Sequence, residues 1–317
     1  MLVLRALGLG DLLAGVPALK ALRRAFPEHE SVLALPPALR DAALATGTVD
    51  TVLPTYAPGR AVPDLSHWTG PRPDLAVDLH GNGPASRDAL AALSPRRLLA
   101  FAEPSPQTPA WRADEHERAR WCRFLHAYGI DAAPDDVRVP PPEGPSPASG
   151  AVVVHPGAES AARRWPSDRY AEVIGRLRAR GLRVVLTGGP AEDRLLAHLA
   201  ARTGLDAEDV YSGGLPHHAF AALVAGASVL VSGDTGPAHL AVALGTPSVT
   251  LFGPVSPALW GPPPGDRHVA LWHPGPPGDP HASRPDRLLL RIRATGVFEA
   301  AARLADTSRQ GVRHAVG

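Results

Sequence analysis

Short apolar runs that alternate with helix-period stretches predict an α/β protein of two doubly wound parallel sheets. Three observations carry this. Runs such as 151–154 (AVVV) and 229–231 (VLV) are too short for helices and too uniformly apolar for half-exposed strands, as expected of parallel strands buried on both faces. Polar and glycine residues follow the strands, where a parallel sheet opens into its ligand crevice. A proline-dense segment, 134–150, then separates two such series.

The first series opens with residues 1–7 (MLVLRAL) as a strand, Gly8-Leu9-Gly10-Asp11 as its loop, and a helix on Leu12, Leu13, Val16, Leu19 and Leu22. Asp11 falls at the helix start, where it either caps free N–H groups or faces a ligand. Strands are expected at 31–35, 49–54 and 75–79, and helices at 39–45, 86–93 and 113–128. His80, after the strand 75–79, either faces the same crevice or is a loop histidine with no assigned role. After the linker come a strand at 151–154 ending in His155-Pro156-Gly157, a helix at 167–180, a strand at 183–186 with the turn Thr187-Gly188-Gly189-Pro190, and a helix at 192–201. A strand at 209–211 and a helix at 217–225 complete this part. The segment 253–285, rich in proline and glycine, reads as irregular; 286–304 reads as a closing helix and 306–317 as a frayed tail.

Residues 229–252 (VLVSGDTGPAHLAVALGTPSVTLF) hold the strongest local signal: strand, tight polar loop, helix, turn, strand. The helix should begin near Gly236-Pro237, since proline fits a first turn that needs no N–H and glycine lets a ligand approach the backbone. Free N–H groups and the helix dipole make this an anion cradle, to which Thr235 adds a hydroxyl and His239 a ring one turn in. A phosphate is expected there.

Composition narrows the classes. A formal charge of +1, from 32 basic and 31 acidic side chains with no basic block, gives no sign of nucleic acid as a partner. The single cysteine, Cys122, forms no internal disulfide, and no secretory signal precedes the first strand, so the cytoplasm is the expected compartment. No apolar stretch reaches the roughly 20 residues that span a bilayer, so membrane contact is at most peripheral. His268, His273 and His281 fit no metal-ligand spacing and read as scattered surface residues. Lys20 is the only lysine, so arginine is expected where relatives use lysine.

The sequence resembles glycosyltransferase family nine, the ADP-heptose-dependent heptosyltransferases. The resemblance rests on GLGD with PALKALRRAFP, on DLHGN, on HPGAESAARRWPSDRYAEV, on VVLTGGPAED, and above all on SGDTGPAHLAVALGTPSVTLFGPVSPALW. It implies a GT-B fold: two Rossmann-like domains facing a central cleft, residues 1–145 binding the acceptor, 151–285 binding the nucleotide sugar, and a closing helix, 286–305, packing back on the first domain. It further implies that Asp11 is the base that deprotonates the acceptor hydroxyl, with inversion at the anomeric carbon. Asp234, Thr235, Gly236 and His239 match the family's D-[ST]-G-x-x-H diphosphate loop. Arg163, in Arg163-Arg164-Trp165-Pro166, takes the place of the family's frequent lysine as the cation for the leaving phosphate; the alternative is a solvated arginine pair before a helix. His155, Gly157 and Gly188 would line the nucleotide side of the cleft. Glu192 would hold the ribose hydroxyls, or merely start a helix.

No D-x-D motif offers to hold a divalent cation, so no metal and no cofactor are expected beyond the nucleotide-sugar donor, ADP-linked by resemblance. The expected enzyme is a monomer transferring a sugar, a heptose by resemblance, to a glycan or small glycoside, with loops 56–72 and 99–111 shaping the acceptor site. A second reading is a nucleotide-binding sensor without transferase activity. A third, a nicotinamide-dependent oxidoreductase, is weak because Leu13 stands where the third glycine of the fingerprint belongs.

Overall fold

The computed structural model describes residues 1–101 and 109–316, with side chains through residue 310. The chain divides into two compact units, Met1–Pro140 and Pro141–Gly317, so the division falls inside the proline-dense segment.

The first unit runs β1 (Leu2–Leu4), α1 (Leu9–Ala14), α2 (Val16–Ala25), β2 (Val32–Leu35), α3 (Arg40–Ala45), β3 (Thr51–Pro54), β4 (Leu75–Asp78), α4 (Pro84–Ala91), β5 (Arg97–Leu99) and α5 (Glu117–Ala127). All strand pairs are parallel, in the order β3-β2-β1-β4-β5. The chain winds outward from β1 to β3, returns to the other side of β1 with β4, and continues to β5. The strand order therefore reverses between β1 and β4, which pair Leu4 with Asp78. Ligands of open α/β sheets bind at such a reversal, beyond the carboxyl ends of the strands.

The second unit repeats the scheme with β6 (Val152–His155), α6 (Ser167–Ala179), β7 (Val184–Thr187), α7 (Asp193–Thr203), β8 (Val210–Tyr211), α8 (His217–Ala225), β9 (Val229–Gly233), α9 (Gly236–Leu244), β10 (Ser248–Leu251), α10 (Pro257–Trp260), β11 (His268–Leu271) and α11 (Ala294–Val316). Its parallel sheet is ordered β11-β10-β9-β6-β7-β8, with the reversal between β9 and β6, where His155 pairs with Ser232. β1, β2, β4, β7, β9 and β10 are buried along their length, and β6 up to His155, which is why these strands are mostly apolar on both faces.

Some sequence expectations change. β5 escapes the sequence pattern, because Arg96 and Arg97 mask a strand whose inner end, Leu99, is buried. β11 lies inside the segment read as irregular; it is a partly exposed edge strand, and its first residue, His268, pairs through its ring with the Ser248 hydroxyl at 3.0 Å. The closing helix does not begin at residue 286. Asp286 instead caps a short turn by accepting from the Leu288 N–H at 2.8 Å, and α11 starts at Ala294 and runs through Val316, so 306–316 is helical rather than frayed. Val297, Ala301, Leu304 and Ala305 of α11 join Val173, Ile174 and Leu177 of α6 and the inner residues of β9 and β10 in the second unit's core.

Trp121, Phe124 and Cys122 of α5 sit in the first unit's core. Burial pushes the Cys122 thiol up to about 12.

Candidate functional site

In the first unit the reversal is occupied by Asp11 and the loop after β4. Asp11 is the third residue of α1, and its Oδ2 accepts from the Gly8 N–H at 3.1 Å, so the capping role is real. It is not the whole role. Arg60 donates to both carboxylate oxygens, at 3.1 Å to Oδ2 and 2.7 Å to Oδ1, a bidentate fork on a side chain only 8% exposed. Burial alone would raise the Asp11 carboxyl. The Arg60 hydrogen bonds, the charges of Arg5 and Arg60 and the Gly8 N–H together outweigh it and hold the group below the usual carboxylate range.

Arg60 reaches Asp11 from a short 3-10 turn, Pro58–Arg60, in which both Gly59 (φ 62°) and Arg60 (φ 64°) are left-handed. Glycine takes this conformation freely; arginine does so at a cost, and such residues cluster at functional sites. On the other side, Asp78 ends β4 and builds the loop that carries His80. Its Oδ1 accepts from the His80 N–H at 2.9 Å and its Oδ2 from the Ser86 hydroxyl at 2.6 Å. Burial lifts the Asp78 carboxyl above its ordinary range against these bonds. His80 does face the crevice near Asp11. Burial, then the charge of Arg5, pushes its ring below the usual histidine range, against the pull of the Ala61 backbone and of Asp11, so at neutral pH it is uncharged.

In the second unit the structure gathers the remaining candidates at the β9/β6 reversal in two adjoining groups. The first is the loop after β9. α9 begins at Gly236 as expected, with Thr235 as an extended N-cap whose side chain does not cap the helix; the Thr235 hydroxyl instead donates to the Gly233 carbonyl at 3.3 Å. The first-turn N–H groups are thus not consumed by a side-chain cap, which is what an anion site at a helix N-terminus needs. The His239 ring lies with Nε2 3.7 Å from Asp234 Oδ1 and edge-on to Trp260 at 5.9 Å.

Arg163 closes this group. Its Nη1 donates to the Asp234 carbonyl at 3.3 Å, while its Nε is buried without a partner. Arg164 instead ties its own loop, donating to the carbonyls of Ala158 at 2.8 Å and Glu159 at 3.2 Å. The structure therefore gives the two neighbouring arginines different partners.

The second group joins His155, Gly157, Gly188 and Glu192. Glu192 accepts from the Gly189 N–H at 2.8 Å and lies 3.7 Å from His155 Nε2. A Cβ on Gly157 would overlap the Glu192 carboxylate, and one on Gly188 would come within 3.0 Å of it, so a side chain at either position would displace Glu192 from this place. Burial lowers the His155 pKa, opposed by Glu192, and Nδ1 of this ring is buried and unpartnered. Phe220 faces the same ring at 6.5 Å. The contact with the Gly189 N–H is the turn-capping role expected of a glutamate at a helix start.

Among the described residues no three histidine, cysteine, aspartate or glutamate side chains come together in a group that could hold a metal ion, and no helix is long and apolar enough to cross a membrane. The loop 99–111 reaches the described residues only at its ends; residues 102–108 lie outside them.

Compared with known proteins, residues 106–289, more than half of the chain, match the family described as Glycosyltransferase family 9 (heptosyltransferase). The chain belongs to glycosyltransferase family 9. A curated relative, lipopolysaccharide heptosyltransferase 3 of Escherichia coli, is 34% identical over 113 residues, 35% of this chain and 33% of that protein. The chain spans about a third of the length of the curated relatives it matches. Among solved structures, ADP-heptose lps heptosyltransferase II of E. coli superposes with a TM-score of 0.72 at 20% identity, covering 97% of this chain and 99% of that one. The E. coli heptosyltransferase WaaC with ADP gives 0.67 at 20% identity over 96% and 99%. This family's GT-B fold, expected from the motifs, is the fold observed, and the glycosyltransferase 9 match includes all candidates of the second unit but not Asp11 or Arg60.

Sequence reasoning missed Arg5, Arg60, Asp78, Phe220 and Trp260. Asp78 had a signal, a carboxylate ending a fully apolar strand. Arg60 had none, since its contact depends on a left-handed turn within a loop of mixed composition.

Proposed function

We propose that this chain is an inverting glycosyltransferase that moves a sugar from a nucleoside diphosphate to an acceptor hydroxyl without a metal ion. The observation that carries the reading is the arrangement at the β9/β6 reversal. An uncapped helix start, a half-buried arginine whose buried Nε–H has no partner and a histidine stand in one loop group, a set of donors suited to a leaving diphosphate. Family membership supports it, and so does a switch-point carboxylate in the first unit, held ionised.

In this reaction Asp11 takes the proton of the acceptor hydroxyl as its oxygen attacks the anomeric carbon, and the bond from that carbon to the diphosphate oxygen breaks. The electron pair leaves on the diphosphate, where Arg163, His239, the Thr235 hydroxyl and the Gly236 N–H neutralise the developing charge. One displacement inverts the centre. Asp234 orients the loop and faces His239. His155, Gly157, Gly188 and Glu192 form the nucleoside side, with Glu192 accepting from ribose hydroxyls.

The donor is ADP-linked, and the sugar a heptose, by the likeness to a heptosyltransferase solved with ADP. The acceptor is a glycan or small glycoside, bound by the first unit. The enzyme acts as a cytoplasmic monomer.

The test is incubation with ADP-heptose and with UDP-, GDP- and dTDP-sugars against a panel of glycosides, read by mass spectrometry with and without EDTA. A glycosylated product from ADP-heptose, unaffected by EDTA, is expected. Tight ADP binding with neither transfer nor hydrolysis across the panel would instead favour the nucleotide-binding sensor.

A further inference from the structure

Beneath the Asp11 loop lies a charged cluster that the proposed reaction does not use. Arg5 follows β1, and its side chain has no exposed surface. Its guanidinium donates from Nε to the Asp11 carbonyl at 2.6 Å, from Nη1 to the Leu79 carbonyl at 2.6 Å and from Nη2 to Glu117 Oε1 at 3.1 Å. The group lies over the Trp121 ring at 5.2 Å. Glu117 is held in turn by Arg120 and by the Trp121 N–H at 2.6 Å.

Stability is a weak reason for such a cluster. A buried ion pair is costly to desolvate, and apolar replacements of similar volume often serve the fold as well. What arginine alone offers is a rigid planar fork with several donors at fixed angles. Here that fork joins the first turn of α1 to the β4–α4 loop: one carbonyl belongs to Asp11 itself, the other to the residue before His80. Both segments stand at the reversal between β1 and β4. Gly15 confines the fork from the helix side, since an added Cβ there would lie 2.8 Å from Arg5 Nε and 3.0 Å from Cδ.

We propose that Arg5 is a positioning residue, which locks the first turn of α1 against the β4–α4 loop and so sets where the Asp11 carboxylate stands. It acts through the Asp11 backbone and does not touch the carboxylate. The proposal rests on the reading of Asp11 as the base. Arg5 also adds to the field that keeps the carboxylate ionised. The charged and titratable groups facing Asp11 are Arg60 from its turn, Arg5 from the end of β1 and His80 from the β4–α4 loop, while Glu117 and Arg120 of α5 face Arg5.

Arg5→Lys keeps the charge but loses the fork; Gly15→Ala leaves Arg5 in place and crowds it, at a backbone conformation (φ −80°, ψ −13°) that alanine adopts freely. ADP release from ADP-heptose with the acceptor found in the panel, or with water, gives the rate per mole of folded protein. We expect kcat to fall about 10²-fold for Arg5→Lys, the scale of an ångström-sized misplacement, and several-fold for Gly15→Ala, with ADP affinity unchanged in both.

A second readout does not need turnover. In Arg5→Met/Glu117→Gln the Asp11 carboxyl, followed by carbon-13 NMR, should titrate at higher pH than in the parent, because a cation beside it is gone. Wild-type rates in both Arg5→Lys and Gly15→Ala, with an unmoved Asp11 titration, overturn the proposal; if Arg5→Lys does not fold, Gly15→Ala and the titration decide. Asp11→Asn separates the two ideas. Full activity in that variant defeats the base reading and this proposal together, whereas an inactive Asp11→Asn beside unaffected Arg5 and Gly15 variants defeats this proposal alone.

Discussion

The two sheet reversals are topological repeats with opposite chemistry. At the first, the key side chain is already well supplied with donors: Arg60 holds both oxygens of Asp11 and the Gly8 N–H holds one of them, leaving one acceptor direction on Oδ1, while both ring nitrogens of the nearby His80 are buried without a partner. At the second, donors stand open: Thr235 does not cap its helix, Arg163 Nε lacks a partner, and so does His155 Nδ1. Cations keep the Asp11 carboxylate ionised, and so able to accept a proton at neutral pH, while making it a weaker base; unpaired donors suit an anion.

Substitutions test this contrast. The largest effect is expected of Asp11→Asn, which keeps the Gly8 contact but removes the proposed base: kcat should fall about 10³-fold, with ADP affinity by calorimetry within a factor of two. Next is Arg163→Ala, which takes away the unpartnered N–H proposed to meet the leaving group. Its kcat should fall about 10²-fold in the same assay, with partial recovery in Arg163→Lys, and Arg164→Ala should instead act on stability. Gly157→Ala should weaken ADP binding about tenfold, some 1.4 kcal/mol, because the new methyl overlaps the Glu192 carboxylate.

The smallest effect at neutral pH belongs to Arg60→Ala, and it should show in the pH profile. The Asp11 pKa is depressed in the fold, so the active, ionised form persists until pH falls below the ordinary carboxylate range. Without Arg60, burial dominates and the acid limb of kcat/KM should move to higher pH. The same sign governs stability. The Arg60 contact contributes fully above the unfolded carboxyl pKa of about 3.9 and is lost as pH falls through the depressed folded value, so the variant's melting temperature should differ from the parent's less in acid than at pH 7. A pH profile identical to the parent's would show that Arg60 does not govern Asp11.

Much of this architecture is legible in the sequence where local and global preferences agree. The start of α9 at Gly236 follows from Gly-Pro after a polar loop, and the buried strands follow from their apolar runs. Legibility fails where a contact is set by the fold. β5 is hidden by its arginines and β11 by its proline-rich surroundings. At the candidate site, the residues within motifs could be named, but what touches them could not. Arg60 is 49 positions from Asp11 and Glu117 is 112 from Arg5, and only the sheet order brings them together. Arg163 and Arg164 are adjacent and chemically alike; the motif resemblance singles out Arg163, but the partners of each follow only from their backbone placement.

The placement of Cys122 has a practical consequence. It is the chain's only sulfhydryl, enclosed in the first unit's core and kept protonated far above neutral pH. Maleimide or nitroxide reagents should therefore leave the natural protein unmodified. A cysteine placed on an exposed position, such as Tyr56 beside the Arg60 turn, would be the single reactive handle, and a fluorophore there could report movement of that turn with no background to subtract.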